Sequence, residues 1–200
     1  MNLVEQLHEH YVFGRRVRVL AERLAALIPH GASVLDVGCG SGDVARAIIA
    51  RRSDLRFEGL DVLVRPTTHF PVRSYDGLTI PHDDGSFDTV LLVDVLHHAD
   101  DPLALLREAC RVARACVVIK DHTLEGPLAA ATLRFMDRVG NARYGVHLPY
   151  NYWTRRRWRE AFDSLGLKAG HWEGDLGLYP RPADWVFGRS LHFIARLDRD

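Results

Sequence analysis

A glycine-rich turn between a predicted strand and a predicted helix is the most chemically informative segment of the chain. Its glycines are Gly38, Gly40 and Gly42, and the strand before it covers residues 34–36. Glycine has no side chain and tolerates positive φ angles, so such a turn lets backbone amides approach a bound ligand closely. A turn that serves only strand–helix packing is the alternative. We predict that it binds a nucleotide-like cofactor.

Two carboxylates accompany this turn and distinguish between possible cofactors. Asp61 ends the next predicted strand, where it can accept hydrogen bonds from both hydroxyls of a ribose. Asp36 lies directly before the turn, where a carboxylate would repel a pyrophosphate but attract an ammonium group. The glycines follow a G-x-G-x-G pattern rather than the G-x-G-x-x-G of dinucleotide sites. S-adenosylmethionine (SAM), which has an ammonium and no phosphate, fits better than NAD, so a nicotinamide oxidoreductase is disfavoured.

Residues 34–120 resemble the class I SAM-dependent methyltransferases, particularly the type 11 methyltransferase domains related to quinone-biosynthesis methyltransferases. The resemblance rests on the glycine turn, on Asp61, on Asp76-Gly77 and on the run that begins with Asp94-Val95. It implies a methyltransferase that binds SAM and releases S-adenosylhomocysteine. The cofactor residues that it implies are Asp36, Gly38, Cys39, Gly40, Gly42, Asp61, Val62, Asp76, Gly77, Asp94 and Val95.

Histidines that follow the fourth and fifth predicted strands are candidates for a general base. Methyl transfer needs an aligned acceptor atom and, where that atom carries a proton, a group that removes it. Imidazole suits this role at neutral pH. We name His98, His122 and His147 as candidates, and a purely structural role remains the alternative for each. Candidate acceptor contacts are Tyr11, Arg15, Tyr150 and Tyr152.

The same region also raises the question of a metal. Asp94, His97 and His98 resemble in placement an acid-and-histidine cluster that certain quinone-pathway O-methyltransferases use for a divalent metal. One acid of that cluster is replaced here by His97. We therefore predict no metal.

Strands and helices alternate along the chain as far as Lys120, which favours an α/β fold. Short, nearly all-apolar strands are typical of a parallel sheet that is covered on both faces. We predict a Rossmann-like doubly wound sheet; the resemblance adds a C-terminal antiparallel strand to a mostly parallel sheet. The predicted strands are 34–36, 57–61, 72–75, 89–94, 116–120, 168–172 and 191–197, and the helices after the N-terminal region are 44–51, 102–112, 127–139 and 154–165.

We expect one methyltransferase domain over residues 1–200. Helical spacing of apolar residues predicts two helices parted near Gly14, and the resemblance makes residues 1–30 a cap over the cofactor. Residues 121–153 follow the cofactor motifs and exceed the usual connection of about 2 to 6 residues. This segment is expected to form a lid over the acceptor.

Composition limits the possible partners. Lys plus Arg and Asp plus Glu number 26 each, so no global positive charge attracts nucleic acid. Three cysteines outside any metal pattern favour a reducing compartment, and no apolar run is long enough for a membrane span. We expect a cytoplasmic monomer or homodimer that methylates O, N or C of a small organic acceptor. A non-catalytic SAM-binding sensor or scaffold is the alternative.

Overall fold

The computed structural model describes residues 13–141, 145 and 147–198. The first of the two predicted N-terminal helices, and with it Tyr11, lies outside these residues. The second N-terminal helix is present and begins at Gly14. The helices are α1 (Gly14–Leu27), α2 (Asp43–Ile49), α3 (Pro102–Val112), α4 (Ala129–Asn141), α5 (Arg155–Ser164) and α6 (Asp184–Phe187), with a 3₁₀ helix at Leu96–His98.

A seven-stranded sheet forms the centre of the molecule. Its spatial order is β3-β2-β1-β4-β5-β7-β6. The first five strands are parallel, whereas β7 pairs antiparallel with both β5 and β6. The strands are β1 (Ser33–Val37), β2 (Arg56–Asp61), β3 (Val72–Ser74), β4 (Phe87–Val93), β5 (Ala113–His122), β6 (Lys168–Glu173) and β7 (His192–Asp198). The predicted fold class, including the C-terminal antiparallel strand, is confirmed.

The core lies in two apolar layers, one on each face of this sheet. Side chains of β5 alternate between the faces, as strand geometry requires. Val117 and Ile119 join the layer under α3 and α5, while Val118 joins the layer under α1 and α2. Burial on both faces explains why the strands read as continuous apolar runs. Because β1, β2, β4 and β5 are parallel, their carboxyl ends meet at one edge of the sheet.

Local signals set the helix ends correctly in two places. Thr154 accepts a hydrogen bond from the amide of Arg157 and begins α5 as predicted. α3 covers the predicted residues, and Asp101 caps it by accepting from the amides of Leu103 and Ala104. These caps satisfy amides that have no partner within the helix.

The structure shifts the start of the predicted lid. β5 continues to His122, because its last residues pair with β7, as in the pair His122 and His192. Residues 121 and 122 therefore belong to the sheet. The short α6 and the 3₁₀ helix have no counterpart among the predicted elements, since runs this short lack a readable helical period. The single domain and the lid role of the remaining segment stay predictions.

Within the described part of the chain, no helix is long and apolar enough to cross a membrane.

Candidate active site

The glycine turn takes the shape that its sequence predicts. Gly38, Gly40 and Gly42 have φ angles of 72°, 59° and 82°, which only glycine adopts without strain. A side chain on Gly38 would meet Val95, since a Cβ there would lie 2.6 Å from a Val95 methyl. A Cβ on Gly40, by contrast, would have no described atom within 4 Å. The turn is closely packed at Gly38 and open at Gly40.

Asp61 holds this turn in place. One carboxylate oxygen accepts from the amide of Gly40 at 2.7 Å, and the other accepts from the amide of Leu63 at 2.8 Å. The amides of Gly38 and Cys39 donate to the carbonyl of Leu60, at 2.7 and 3.2 Å. Asp61 is therefore a structural anchor of the turn, in addition to any role toward a ribose.

Asp36 is a buried carboxylate without a counterion. It is 3% exposed, and its Oδ1 has no hydrogen-bond partner among the described residues. Burial, together with the negative charge of Asp61, raises the pKa of Asp36 to about 8. Burial of an unpaired carboxylate is unfavourable. This position therefore suits a cationic group of a ligand.

The predicted adenine side of the site lies beyond β2 and β3. Val62 is 59% exposed and packs next to Gly77, where an added Cβ would lie 3.0 Å from a Val62 methyl. Asp76 accepts from the amides of Leu78 and Thr79 at 2.8 and 2.9 Å, and these bonds lower its pKa. The structure thus brings Val62, Asp76 and Gly77 together at one edge of the cleft.

Asp94 forms the centre of a charged group at the end of β4. Its carboxylate forms ion pairs with Arg16 of α1 and with the fully buried Lys120 of β5. Burial alone would raise the pKa of Asp94, but Lys120 and Arg16 outweigh burial and hold it well below its usual value. Asp94 also has a φ of 57°, a left-handed conformation that aspartate tolerates better than most residues. Its amide donates to the carbonyl of Lys120 at 2.8 Å.

A buried imidazole between two carboxylates forms a second charged group. His97 is 1% exposed; its Nδ1 lies 2.7 Å from Asp121, and its Nε2 lies 3.4 Å from Asp137. Burial alone would lower the pKa of His97, but the two carboxylates raise it to about 10. The Tyr152 hydroxyl donates to the same Asp137 oxygen, Oδ2, that lies near His97. His97 is therefore an imidazolium at neutral pH.

His98 and His122 remain neutral beside it. Burial and the charge of His97 lower the pKa of His98 to about 4, and its buried Nδ1 has no hydrogen-bond partner among the described residues. Burial and the charge of Lys120 hold the pKa of His122 well below its usual value. The Nε2 of His122 lies 3.5 Å from Asp94. Both imidazoles are therefore neutral at pH 7 and can accept a proton, but their lowered pKa values make them weak bases.

This polar cluster, made of Arg16, Asp94, His97, His98, Lys120, Asp121, His122, Asp137 and Tyr152, adjoins the glycine turn. Gly38 contacts Val95, and the amide of His98 donates to the carbonyl of Val95 at 2.9 Å. Ligands of open α/β sheets bind beyond the carboxyl ends of the strands. A cofactor in the turn and an acceptor at the cluster would therefore be neighbours.

Comparison with known proteins assigns this architecture. A family model described as a methyltransferase domain matches residues 8–171. The chain belongs to this methyltransferase family. Its cofactor is SAM, in agreement with the solved SAM-dependent methyltransferases of the same fold.

The chain is 31% identical over 110 residues to 27-O-demethylrifamycin SV methyltransferase of Amycolatopsis mediterranei, which covers 48% of this chain and 40% of that protein. It spans less than half the length of the curated relatives that it matches. A putative methyltransferase from Bacillus halodurans is similar with a TM-score of 0.62 at 18% identity, over 90% of this chain and 97% of that one. A SAM-dependent methyltransferase from Aquifex aeolicus has a TM-score of 0.62 at 16% identity, over 92% of each chain. These two likenesses show the fold.

The turn fits SAM on the evidence of its own atoms. Asp36 has a buried oxygen with no hydrogen-bond partner among the described residues, where an ammonium is expected, and a Cβ on Gly40 would meet open space. An ammonium favours the ionised form of a neighbouring carboxylate and would offset the cost of burying it. The methyltransferase cofactor is therefore chemically matched to this edge of the sheet.

The predicted acceptor residues and the predicted base His147 lie at different distances from the polar cluster. Tyr152 packs in the polar cluster, with its ring 5.6 Å from that of His97, and Tyr150 lies 6.1 Å from Tyr152. Arg15 donates to the carbonyl of Gly177 at 3.0 Å rather than to Asp94. His147 is 73% exposed and lies 3.3 Å from Asp100, apart from His98 and His122.

Five members of the cluster were missing from the predicted site residues: Arg16, His97, Lys120, Asp121 and Asp137. A signal existed for two of them. Asp137 follows the buried residues Ala129 and Leu133 at intervals of one helical turn, so a carboxylate stands on the buried face of α4. Arg16 precedes the buried Leu20 in the same way on α1. A charged residue on the apolar stripe of a helix marks a buried ion pair.

Two sets of side chains in the cluster have geometry compatible with a metal ion. These sets are Asp94, His97 and His122, and His97, His98 and Asp137, in each of which the ligand atoms lie within 4.8 Å of one another. The carboxylates here already have cationic partners in Lys120, Arg16 and His97. The absence of a metal stays a prediction.

Proposed function

We propose that the protein transfers the methyl group of SAM to O, N or C of a small organic acceptor. In this proposal it acts in the cytoplasm as a monomer or homodimer, and nucleic acid is not its substrate. The observation that supports this most strongly is that the cofactor turn adjoins, through Val95, a buried cluster that contains two neutral imidazoles. When bound, SAM supplies a methyl group on a positively charged sulfur. The protein must then orient the acceptor atom and accept its proton.

The cofactor residues have distinct tasks in this proposal. Asp36 pairs with the ammonium, Asp61 keeps the turn in place and faces the ribose, and Val62 lies against the adenine. The residues that would hold the cofactor are Asp36, Gly38, Cys39, Gly40, Gly42, Asp61, Val62, Asp76, Gly77, Asp94 and Val95. Asp94 acts indirectly, because its carboxylate is engaged by Lys120 and Arg16.

His98 and His122 are the proposed proton acceptors. Both are neutral and lie in the cluster, and His98 has a buried nitrogen without a hydrogen-bond partner among the described residues. The acceptor would lose its proton to one of them as the new bond to the methyl carbon forms. Tyr150 and Tyr152 would line the acceptor side, with Arg15 and Tyr11 nearer the N-terminal cap. His147, the third predicted base, is the least favoured because it is exposed and pairs with Asp100.

A SAM-binding sensor or scaffold is the second candidate. It is favoured by the engagement of the cluster's carboxylates, since Asp94 and Asp137 already have cationic or hydroxyl partners. A protein solved as a complex with a methyltransferase activator, from Haloferax volcanii, shares the fold with a TM-score of 0.67 at 18% identity. Saturable SAM binding without turnover of any acceptor would favour this candidate.

The test combines cofactor binding with acceptor turnover. SAM and S-adenosylhomocysteine should raise the melting temperature, because a ligand that binds only the folded state stabilises it. Turnover is then measured as S-adenosylhomocysteine release across phenols, amines, carboxylic acids and activated carbon acids. Absence of any thermal shift at saturating cofactor would contradict the assignment of the turn.

The bases are tested by His98→Gln, His122→Gln and the exposed control His147→Gln. All three should keep SAM affinity within about threefold, a difference below about 1 kcal/mol. Loss of an effective base lowers turnover by about 100-fold or more. We expect this loss in one of the two cluster variants and not in the control. Normal turnover in both cluster variants would refute the role of these histidines.

A further inference from the structure

An exposed apolar surface lies on the outer side of α4 and α6, away from the polar cluster. Its members are large, apolar and between 48% and 77% exposed: Leu128, Phe135, Val139, Trp185 and Val186. Single exposed apolar side chains are common on proteins. A group of five on two adjoining elements is more typical of an interaction site.

The two elements form one continuous face. The rings of Phe135 and Phe187 stack with centroids 6.3 Å apart. Arg189 joins the start of α4 to α6, since its guanidinium donates to the carbonyl of Pro127 and the hydroxyl of Thr132, and its Nε donates to the carbonyl of Val186. The apolar side chains therefore share one surface, which we call the α4–α6 face.

Leu128 is exposed even though its backbone conformation is unfavourable. It has a φ of 61° and is 77% exposed. A left-handed backbone at a branched apolar residue costs on the order of 1–2 kcal/mol. Neither the backbone nor the side chain of Leu128 gains a core contact in exchange.

The fully exposed charges on these segments are positive. The exposed charged side chains on α4 and on the residues leading into α6 are all arginines: Arg134, Arg138 and Arg181. The two carboxylates of the same segments are otherwise engaged. Asp137 points inward to His97, and Asp184 accepts from the amide of Tyr179 at 3.1 Å.

We propose that the α4–α6 face docks onto an anionic lipid surface. A tryptophan and other apolar side chains surrounded by arginines suit the boundary between headgroups and acyl chains, where the arginines meet lipid phosphates. A twofold pairing of two copies through this face would bring the exposed arginines of both copies together, whereas anionic headgroups attract them. The inference does not depend on the proposed function, although docking through α4 would place the helix that carries Asp137 next to the lipid.

Vesicle binding by the full chain tests this directly. Phosphatidylcholine vesicles are compared with vesicles that also contain phosphatidylglycerol, by co-sedimentation and by tryptophan emission. We expect binding to the anionic vesicles that weakens with salt, together with a blue shift. Trp185 is 67% exposed, whereas Trp153 and Trp158 are buried and Trp172 stacks on Phe193 at 4.2 Å, so the shift should vanish in Trp185→Phe while binding persists.

Paired variants separate the apolar from the charged contribution. Phe135→Ser with Trp185→Ser should lower vesicle binding at least about 10-fold. Arg138→Gln with Arg181→Gln should lower binding to anionic vesicles about 30-fold, because each arginine near an anionic membrane contributes about 1 kcal/mol of binding free energy. The controls Leu78→Ser and Arg156→Gln make the same kinds of change on other surfaces and should bind as the unaltered protein does.

Three results would overturn the proposal. The first is no binding to anionic vesicles. The second is binding that the paired variants leave unchanged while their melting temperatures show that they are folded. The third is a dimer of the unaltered protein, seen by light scattering, that the Phe135→Ser with Trp185→Ser variant converts to a monomer, since the face would then join two copies of the chain.

Discussion

Replacing Asp36 by asparagine should make the cofactor-free protein more stable and its cofactor binding weaker. The folded chain holds this carboxyl with a pKa of about 8, against 3.8 for the ordinary group, because the group is buried without a cation. Because the pKa of Asp36 is higher in the folded chain than in the unfolded chain, the contribution of this carboxyl to the free energy of unfolding is complete below pH 3.8 and is lost as the pH rises toward 8. Asparagine resembles the protonated carboxyl and avoids this loss.

The magnitude follows from the two pKa values. Between pH 3.8 and 7 the unfolded chain has released the proton of Asp36 and the folded chain largely has not. At 1.36 kcal/mol per pH unit, this costs the unaltered protein up to about 4 kcal/mol at pH 7. We expect Asp36→Asn to recover on the order of 2–4 kcal/mol, which raises the melting temperature by about 5 to 10 °C for a chain of this size.

Cofactor binding should change in the opposite direction. A hydrogen bond to a charged group contributes about 1.5–3 kcal/mol, so the variant should bind SAM about 10- to 100-fold more weakly. In the unaltered protein the ammonium favours ionised Asp36, so binding near pH 7 should release a proton. Calorimetry in two buffers with different ionisation enthalpies measures this release, which the variant should lack.

The control is Asp43→Asn, at the start of α2. This carboxylate is partly exposed and already accepts from Ser41 at 2.6 Å, so its replacement should not stabilise the protein. If Asp36→Asn melted at or below the temperature of the unaltered protein, the cost assigned to burial would be wrong. Equal SAM affinity with unchanged proton release would show that the ammonium does not lie at Asp36.

Three further changes test other parts of the site. Gly40→Val should abolish detectable SAM binding, because the new side chain fills the open space that the cofactor needs. The control Gly31→Val has a similar φ of 67° and equally open surroundings, so it should cause similar backbone strain but keep SAM binding. Comparable binding by both variants would place the cofactor elsewhere. His97→Gln should destabilise the fold by about 3–5 kcal/mol at pH 6. In the unaltered protein the free energy of unfolding should decline from pH 6.5 to 10, and the variant should lack this decline, which urea unfolding at several pH values would measure. A decline retained in the variant would refute the charged state of His97. Tyr152→Phe should lower acceptor turnover while SAM affinity by calorimetry stays within about threefold, and a selective loss of SAM affinity would assign Tyr152 to the cofactor side.

The sheet and the cofactor turn were predictable because their signals are local. Runs of apolar residues fix the buried strands, and the spacing of Gly38, Gly40 and Gly42 fixes a turn that needs positive φ angles. Asp36 and Asp61 follow from their positions at strand ends. For this reason the strand bounds differ from those predicted by only a few residues. The largest difference is at β5, where Ala113 pairs with Phe87 of β4 and His122 pairs with His192 of β7.

The acceptor side was decided by tertiary structure. The sequence contains eleven histidines, and nothing local separates the buried imidazolium His97 from the exposed His147. Their protonation depends on carboxylates and cations from distant segments, as Asp121 and Asp137 show for His97 and Lys120 shows for His122. A pKa reports the distances between charges and the depth of burial, and only the folded chain sets these two quantities.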